Sequence, residues 1–500
     1  MVIKHIKKHG ARFSAYLIAF FSLKLAWWID RNFGSPTFEQ IIFHLQFGAD
    51  GLIDMDQGLM RSFVRHCLLS PLAFTFIIFA IQKAVLSGIT KKYIHEFYRK
   101  RTAENTSEFI AKLLTQLRKA FLNFLPISLV IIATVILTSK LAIWSYLKNY
   151  EESEFFENFY IEPRSIESPQ KKKNLVLIYV ESLENGFSNT AIMGKDSLSP
   201  LKIFSSTTYK FSNYLQTYGT GWTIAGIVST QCGIPLKTLA TFDGNSQGEK
   251  LKKFLPGAIC LGDILSSDGY TNIFLQGGSL AFSGTGKFFS QHGYSRLLGK
   301  EDWQKMGDQN FNAWGLYDDQ LFQYAKDELD ALEKAGKPYN LTLSTIDTHA
   351  PHGHISPTCK KYGVVDYKGI VNCTASLTAD FINYMKKKGY LDNTVVVVLG
   401  DHLAMRVPVY DQLEKFGGRT IFNAIITNES LTKNTDTLYP FSMYPTILYA
   451  LGFRFEKNRL ALGASGFGPS DPSYNITTLN PSSFSEMLSK ASKRYNLFLK

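Results

Sequence analysis

The sequence predicts an α/β domain with a mostly parallel sheet, preceded by an N-terminal helical transmembrane region. Three observations support this fold class. Long apolar segments occur in the first part of the chain, short β-branched runs alternate with helical patterns from Asn174 onward, and several of those runs end in charged residues. Such alternation of strands and helices is typical of a parallel sheet covered by helices on both faces.

The composition limits the classes of function. The chain has 500 residues, of which 45 % are hydrophobic and 14 % aromatic, so a large core is expected. The formal net charge is +12. The basic residues do not form a continuous stripe interleaved with aromatic residues, and we therefore predict no nucleic-acid partner.

The first region, residues 1–149, is predicted to lie in a membrane. Three apolar segments approach the length of about 20 residues that a bilayer requires; they are residues 13–28, 68–86 and 124–144. The alternative is that they are buried core helices. The N-terminus and the second connection are rich in Lys and Arg, whereas the first connection is acidic. The positive-inside rule then predicts a multi-pass protein of the cytoplasmic (inner) membrane with everything after Trp144 on the periplasmic or extracellular side.

The remaining boundaries follow from composition. Residues 150–173 are polar, contain two prolines and three consecutive lysines, and are predicted to be a linker. Residues 174–470 are predicted to be the catalytic domain. Residues 471–500 are predicted to be a C-terminal tail, irregular at first and ending in a basic amphipathic stretch. That stretch is expected to be a surface helix, with contact to an anionic membrane as the alternative.

The strands and helices of the second region are predicted from their periodicity. The predicted strands are 175–180, 271–275, 341–346, 395–399 and 420–426, and the predicted helices include 317–335, 376–388 and 442–451. In such sheets the ligand crevice lies beyond the carboxyl ends of the strands.

Charged residues follow three of these strands. Glu181 follows "LVLIYV", His349 and His352 stand in "TIDTHAPH", and Asp401 and His402 follow "TVVVVLG". Singly, each residue is more typical of a cap, a turn or a structural histidine. Together, the two carboxylates and one imidazole of Glu181, Asp401 and His402 suit one divalent cation, with Mn²⁺ favoured and Mg²⁺ or Zn²⁺ as alternatives.

A glycine-rich turn precedes a predicted helix in "YGTGWTIAGIVSTQCGIPL", residues 218–236. Gly219 and Gly221 allow a tight turn, and the helix N-terminus favours an anion. Thr223 lies in the first turn, where coordination to a divalent cation would make its hydroxyl nucleophilic. The alternative is an ordinary helix cap.

The cysteines are unevenly distributed, with one in the membrane region and four in the second region. Two disulfides are the simplest arrangement in an oxidising compartment, and four reduced buried thiols are the alternative. The simplest pairing joins Cys232 to Cys260 and Cys359 to Cys373.

Six motifs, in order along the chain, carry a resemblance to a known family: "NLVLIYVESLE", "GTGWTIAGIVSTQCGIPL", "WGLYDD", "TIDTHAPH", "VVVVLGDH" and "SMYPTILYALGF". The sequence resembles the alkaline phosphatase and sulfatase superfamily, specifically the branch of lipoteichoic acid synthases and membrane phosphoglycerol transferases. The second motif is most similar to the phosphoglycerol transferases of periplasmic glucans. The resemblance implies a sulfatase-like fold.

The resemblance also implies an activity and roles for residues. A phosphoglycerol transferase would move glycerol phosphate from phosphatidylglycerol, through an ester on Thr223, to a hydroxyl of a cell-envelope glycan. Glu181, Thr223, Asp401 and His402 would bind the metal. His349 would contact the phosphoryl group and protonate the leaving oxygen, and the residues expected to bind substrate are His349, His352, Lys287 and Trp314.

Two other functions stay open at this stage. A phosphoethanolamine transferase acting on lipid A or a glycan would use the same mechanism with another head group. A glycan-binding or sensor domain would keep the fold without turnover. Sulfate ester hydrolysis is not predicted, because no C/S-x-P-x-R motif for formylglycine occurs at Thr223.

Overall fold

The protein is represented by a computed structural model that describes residues 2–34, 36, 38, 40–42, 57–86, 104–148, 151–202, 208–237, 253–474, 476 and 479–500. The chain divides into two compact units. The first lies within residues 1–144, and the second contains residues 145–500.

The first unit is helical. Its helices are Val2–Phe33, Gln57–Leu86 with a π-helical stretch at Val64–Leu69, and Glu104–Lys140. Three stretches of these helices are long and apolar enough to cross a membrane, namely Gly10–Phe33, Gly58–Gln82 and Asn123–Lys140. They overlap the three predicted segments. The basic second connection, which sets the predicted orientation, lies largely outside the described residues.

The second unit is built on a mixed sheet. The strands of this unit are β1 (Asn174–Val180), β2 (Thr208–Tyr209), β3 (Asn213–Tyr214), β4 (Thr271–Gln276), β5 (Arg296–Leu298), β6 (Tyr339–Ser344), β7 (Thr394–Gly400), β8 (Asn423–Ile426), β9 (Thr437–Leu438), β10 (Arg459–Leu460) and β11 (Gly463–Ala464). β3 pairs with β9 and β10 with β11 in two small sheets, and the other seven strands form the main sheet. The seven strands of the main sheet lie in the order β2-β8-β7-β1-β6-β4-β5. The pairs from β7 to β5 are parallel, and β8 is antiparallel to both β7 and β2.

The central strands are buried along their whole length. β1 and β7 are continuous apolar runs, as expected for strands covered on both faces. Alternate residues of β1 enter opposite cores, with Leu175 and Leu177 in one and Val176 and Ile178 in the other. The predicted fold class, a mostly parallel α/β domain, is therefore confirmed.

Helices cover both faces of this sheet. They include every helix predicted from the sequence. The predicted helix 376–388 begins nine residues earlier, at Tyr367. Asp366 caps this helix, since its side chain accepts a hydrogen bond from the Gly369 N–H. The helices of the second unit are Phe155–Phe159, Thr190–Met193, Thr223–Cys232, Leu261–Ser267, Thr285–Gln291, Lys300–Lys305, Asp318–Ala335, Pro357–Lys361, Tyr367–Lys388, Tyr410–Phe416, Pro440–Ala450, Pro481–Ser489 and Lys493–Leu497.

The segments expected to be a linker and a tail are part of the second unit's core. Phe155 and Phe156 of the expected linker are buried, and so are Phe484 and Tyr495 of the expected tail. The Phe155 and Phe484 rings contact each other, as do those of Phe156 and Tyr495. The amphipathic basic stretch thus covers the protein's own apolar surface, because its aromatic residues face the core. Neither segment is peripheral to the fold.

Two disulfides cross-link the second unit. Cys232 is bonded to Cys260 and Cys359 to Cys373, which is the simplest pairing that the sequence allows. Cys67 has a free, buried thiol. The first bridge joins the end of helix Thr223–Cys232 to the start of helix Leu261–Ser267.

Removal of the first bridge is expected to lower stability. The bridge closes a loop of 28 residues. Such a loop lowers the entropy of the unfolded chain, so removal of the bridge lowers the free energy of unfolding by about 3–4 kcal/mol. The double change Cys232→Ser and Cys260→Ser should therefore lower the thermal unfolding midpoint of the detergent-solubilised chain. Cys67→Ser is the control for loss of a thiol without loss of a bridge. Equal midpoints for the double variant and the control would contradict the prediction.

Candidate functional site

Two neighbouring parallel strands bring the first three site residues together. Val180 at the end of β1 is in register with Gly400 at the end of β7. Glu181 and Asp401 are the next residues of the two strands, so they leave the sheet side by side. A Cβ on Gly400 would lie 1.9 Å from the Leu183 carbonyl oxygen, so glycine at this position lets the turn that follows Glu181 pack against the end of β7.

The three side chains form a tight, buried cluster. His402 Nε2 lies 3.4 Å from Glu181 Oε1 and 3.6 Å from Asp401 Oδ2. One ligand atom from each residue lies within 4.8 Å of the other two. Backbone contacts hold the carboxylates in place, since Asp401 Oδ1 accepts from the N–H groups of Ser182 and His402. This is a compact set of oxygen and nitrogen donors at the edge predicted from the sequence.

Thr223 joins this cluster from a different part of the chain. Its hydroxyl donates to Glu181 Oε2 at 3.2 Å. It is the first residue of helix Thr223–Cys232, so the free N–H groups and the positive dipole end of the first turn lie beside the hydroxyl. Helix and sheet edge meet closely, because a Cβ on Gly226 would lie 1.9 Å from the Asp401 carbonyl oxygen.

The change Gly226→Ala is expected to separate helix Thr223–Cys232 from the cluster of Glu181, Asp401 and His402, which we call the metal cluster because its donor atoms could hold a metal ion. The new methyl group would overlap the Asp401 backbone, which cannot turn away as a flexible side chain can. Overpacking of this kind costs about 1–3 kcal/mol. We expect a lower thermal unfolding midpoint and a loss of activity larger than the stability change explains.

Gly278→Ala is the matched control, because a Cβ there meets its nearest neighbour, the Trp314 carbonyl oxygen, at 3.8 Å, an ordinary contact. Both variants are compared by thermal unfolding and by turnover at a temperature where each is folded. Full activity of Gly226→Ala would show that the helix does not depend on this contact.

The electrostatics of the cluster call for positive charge. Burial and the charge of Glu181 raise the pKa of Asp401 to about 7. Burial alone would raise the pKa of Glu181, but His349 and His402 lower it to about 2. Burial alone would lower the pKa of His402, but the carboxylates of Asp401 and Glu181 raise it to about 9. Without a cation, the two buried carboxylates are therefore compensated by protons held on Asp401 and His402. A divalent cation would replace the positive charge of these protons.

Two orphaned atoms test whether these residues fit a cation. Among the described residues, Asp401 Oδ2 and His402 Nε2 have no hydrogen-bond partner although both are buried. His402 Nδ1 lies 2.7 Å from the Leu403 carbonyl, which can only accept, so Nδ1 keeps its proton and Nε2 is the ligand atom, from which a cation would displace the second proton. The donor set fits a divalent metal ion.

His349 lies beside this cluster and is packed against Trp314. The two ring centroids are 3.9 Å apart. Its Nδ1 lies 2.7 Å from the Ala350 carbonyl, which can only accept, so Nε2 is the atom that can exchange a proton with a ligand. The charge of His349 also acts on Glu181, where it lowers the pKa of that carboxyl. Trp314 and His349 thus form one wall near the cluster.

The other two predicted substrate contacts are not brought to the cluster by the contacts described here. His352 is exposed. Lys287 is exposed on helix Thr285–Gln291, although Phe282 just before that helix contacts the Trp314 ring at 5.5 Å between centroids. Their roles stay predictions.

A pair of buried aspartates, to which the sequence assigned no role, fixes the loop that carries His349. Asp347 Oδ2 accepts from the Asp318 N–H, and Asp318 Oδ1 accepts from the N–H groups of Ile346 and Asp347. Asn312 Nδ2 donates to Asp347 Oδ1 at 3.1 Å. Asp347, although it follows β6, therefore lies outside the metal cluster and positions the loop. "WGLYDD" was the available signal, since Asp318 is its first aspartate.

The stability of this aspartate pair is expected to depend on pH. Burial raises the pKa of Asp318 to about 7, above the value of about 3.9 for an unfolded aspartate. The folded state therefore holds this proton more tightly, and the resulting stabilisation is present below about pH 4 and is lost as the pH rises toward 7. Asp318→Asn should flatten the pH dependence of unfolding in that window by up to about 1.4 kcal/mol per pH unit.

The measurement is the thermal unfolding midpoint at several pH values between 4 and 7. Asp327→Asn, an exposed position on the same helix, is the control and should leave the profile unchanged. Identical profiles for Asp318→Asn and the unchanged protein would contradict the prediction.

Comparisons with known proteins identify relatives of the second unit. "Phosphoglycerol transferase I" of Salmonella paratyphi B (strain ATCC BAA-1250 / SPB7) is 40 % identical over 280 residues, covering 53 % of this chain and 35 % of the relative. The protein of the same name from Salmonella typhi gives the same values. The chain thus spans about a third of the length of these curated relatives.

The solved structures that a comparison finds include the lipoteichoic acid synthase LtaP of Listeria monocytogenes, with a TM-score of 0.48 and 16 % identity over 63 % of this chain and 81 % of that one. Another is the Streptococcus pyogenes phosphoglycerol transferase GacH in complex with sn-glycerol-1-phosphate, with a TM-score of 0.42 and 15 % identity over 69 % and 89 % of the two chains.

The family assignment rests on a match to a family as a whole. Residues 173–452 match the sulfatase family, and they include the whole cluster of Glu181, Thr223, Asp401 and His402. Because this match covers more than half of the chain, the protein belongs to the sulfatase family, within the alkaline phosphatase superfamily.

Proposed function

We propose that the protein is a membrane-anchored, metal-dependent phosphoglycerol transferase that moves glycerol phosphate from phosphatidylglycerol to a hydroxyl of a cell-envelope glycan. The observation that carries the proposal is the position of the Thr223 hydroxyl, 3.2 Å from Glu181 Oε2 at the N-terminus of a helix. The relatives named phosphoglycerol transferase I support the head group.

The metal would be held by Glu181, Asp401, His402 and the Thr223 hydroxyl. Bound there, a divalent cation lowers the pKa of a coordinated hydroxyl and neutralises charge on a phosphoryl group. We favour Mn²⁺, with Mg²⁺ or Zn²⁺ as alternatives.

In the first half-reaction, Thr223 Oγ attacks the phosphorus of the lipid as an alkoxide, its proton having been released to solvent because a bound cation would lower the pKa of the hydroxyl. An Oγ–P bond forms, and the bond from phosphorus to the diacylglycerol oxygen breaks. The leaving oxygen takes a proton from His349 Nε2, and diacylglycerol departs with its hydroxyl. The N–H groups of the first turn of helix Thr223–Cys232 favour the anionic phosphoryl oxygens.

The second half-reaction reverses the first with a different alcohol. His349 Nε2 accepts the proton of the acceptor hydroxyl, whose oxygen attacks phosphorus while the Oγ–P bond breaks. Thr223 Oγ leaves as the alkoxide and His349 is protonated again, so both groups return to the states in which the cycle began. Trp314, whose ring centroid lies 3.9 Å from that of the imidazole at an interplanar angle of 37°, restricts the ring orientations available to His349.

The apolar helices would give this chemistry its substrate supply. Three helices are long and apolar enough to cross a membrane, and we propose that they anchor the second unit on the periplasmic or extracellular side. An anchored enzyme meets its lipid donor at a high effective concentration. The two disulfides are consistent with an oxidising compartment.

The proposal is tested with purified full-length protein, a divalent metal ion and phosphatidylglycerol labelled in its diacylglycerol part. Release of labelled diacylglycerol, and its loss on addition of a chelator, are the expected results. Phosphatidylethanolamine with the same label is the comparison lipid. Release from that lipid alone would replace the head group by phosphoethanolamine, and release from neither lipid would favour a binding or sensor role without turnover.

A further inference from the structure

A basic and apolar surface lies on the same edge of the sheet as the metal cluster. It consists of Lys195, Lys360, Lys361, Tyr362, Val365 and Lys368, and we call it the docking surface. Lys195 lies in the segment that follows β1, and the other five residues lie in the segment that follows β6. β1 and β6 are parallel neighbours, so both segments leave the sheet at the carboxyl edge, where Glu181 lies.

The docking surface is connected to the metal cluster by two hydrogen bonds. Tyr367, between Val365 and Lys368, donates from its hydroxyl to the Thr348 carbonyl at 3.1 Å. The Thr348 hydroxyl in turn donates to the Glu181 carbonyl at 2.5 Å. The surface therefore stands at a fixed distance from the proposed nucleophile.

The apolar part of the surface is unusually exposed. Val365 is 84 % and Tyr362 70 % exposed. Among the described residues from 151 onward, only five large hydrophobic side chains are exposed, and two of them lie here, three positions apart. The segment is rigid, since Cys359 is bonded to Cys373 and the Thr358 N–H donates to Asp319 Oδ2. Rigid exposed apolar side chains are typical of an interaction surface.

The charge around these two side chains is positive. Lys195, Lys360 and Lys361 are exposed, and Lys368 is half-buried. The nearby carboxylates have other partners, because Asp366 caps helix Tyr367–Lys388 and Asp196 pairs with Lys202. A cavity of about 460 Å³ opens between Lys195, Tyr362, Val365 and Lys368. Its volume suits a polar head group, and its rim combines ammonium groups with apolar side chains.

We propose that the docking surface rests on an anionic phospholipid bilayer, with Tyr362 and Val365 at the level of the head groups and the lysines paired with lipid phosphates. Tyrosine favours the membrane–water interface, and lysines near an anionic surface add attraction. Because the docking surface is positively charged, an anionic bilayer complements it and an uncharged partner does not. The proposal rests on the membrane anchoring in the proposed function, and it assigns the bilayer-facing side of the second unit.

The test uses the full chain in the Cys67→Ser background, reconstituted into phospholipid vesicles, with a nitroxide attached at Val365→Cys. Vesicles contain either phosphatidylcholine alone or phosphatidylcholine with phosphatidylglycerol. In the anionic vesicles we expect the nitroxide to collide more with lipid-dissolved oxygen than with an aqueous nickel chelate. Ala335→Cys, exposed at the end of helix Asp318–Ala335 on the opposite edge of the sheet, is the matched control and should stay aqueous.

Charge neutralisation provides the second arm. Lys360→Gln with Lys361→Gln should lower the ratio of docked to undocked label roughly 30-fold, and added salt should act in the same direction. An aqueous nitroxide at residue 365 in anionic vesicles would overturn the proposal. So would equal docking on the uncharged vesicles, or a label that is immobilised only by an added soluble glucan.

Turnover is measured on the same vesicles to separate the two proposals. Diacylglycerol release with an aqueous label would reject the docking surface and leave the transferase proposal standing. A docked label without diacylglycerol release would reject the transferase proposal and leave the docking surface standing.

Discussion

Thr223→Ala is expected to abolish transfer while the metal cluster stays intact. The change removes the only protein group proposed to form a bond to phosphorus, and loss of such a nucleophile costs on the order of 10⁴-fold or more in turnover. Thr223 would supply only one neutral ligand, and the two carboxylates and the imidazole of Glu181, Asp401 and His402 make their mutual contacts without it. In the high-metal buffer of the assay, bound metal should therefore persist. Diacylglycerol release and metal content by mass spectrometry are the two measurements.

Thr223→Ser is the matched control, because it keeps the hydroxyl and removes only a methyl group. It should retain measurable turnover and yield a glycerol phosphate adduct on the peptide that contains residue 223. Wild-type rates in Thr223→Ala would reject the covalent mechanism, whatever the family relationship. An inactive Thr223→Ala that has also lost its metal would show instead that this residue acts mainly as a ligand.

Glu181→Gln is expected to remove the metal and, with it, the activity. The change keeps the shape of the side chain but deletes one of the two negative charges in a fully buried cluster. Loss of groups that merely orient a ligand already weakens metal binding 10–100-fold, so loss of a direct ligand should weaken it by at least about 100-fold. The measurement is metal content after dialysis, together with diacylglycerol release.

Glu333→Gln is the control for this change. Glu333 lies near the opposite edge of the same sheet, where it accepts from the Tyr339 hydroxyl, and its substitution should leave metal content unchanged. If Glu181→Gln keeps a full complement of metal, the cation is held elsewhere and the proposed ligand set is incorrect.

The metal cluster could be predicted from the sequence because it depends on strand ends. The runs before Glu181 and Asp401 are apolar enough to be buried strands, and parallel strands place their following residues at one edge. This pattern predicts that the two strand ends meet at one edge but does not specify their register, which the structure gives as Val180 opposite Gly400. Thr223 was accessible only through its helix N-terminus and the family resemblance, since nothing local links it to the strands.

Contacts between segments that are distant in sequence could not be predicted in this way. The aspartate pair of Asp318 and Asp347 depends on a loop and a helix start that meet only in the folded chain. The burial of the expected linker and tail was missed for a related reason. Their polar composition predicts exposure, whereas a few aromatic residues in each, such as Phe156 and Tyr495, decide the packing.

The meeting of the two ends of the second unit has a consequence for engineering. Ser153 donates from its backbone N–H to the Ala491 carbonyl, and Glu152 and Ala491 form a β-bridge. Residues 152–153 and 491 are thus adjacent, and such closeness of two distant segments tolerates insertion into other proteins. Residues 151–500 should be transferable as a single cassette onto foreign anchors, whereas shortening the chain at residue 470 would strip the aromatic cover from Phe155 and Phe156.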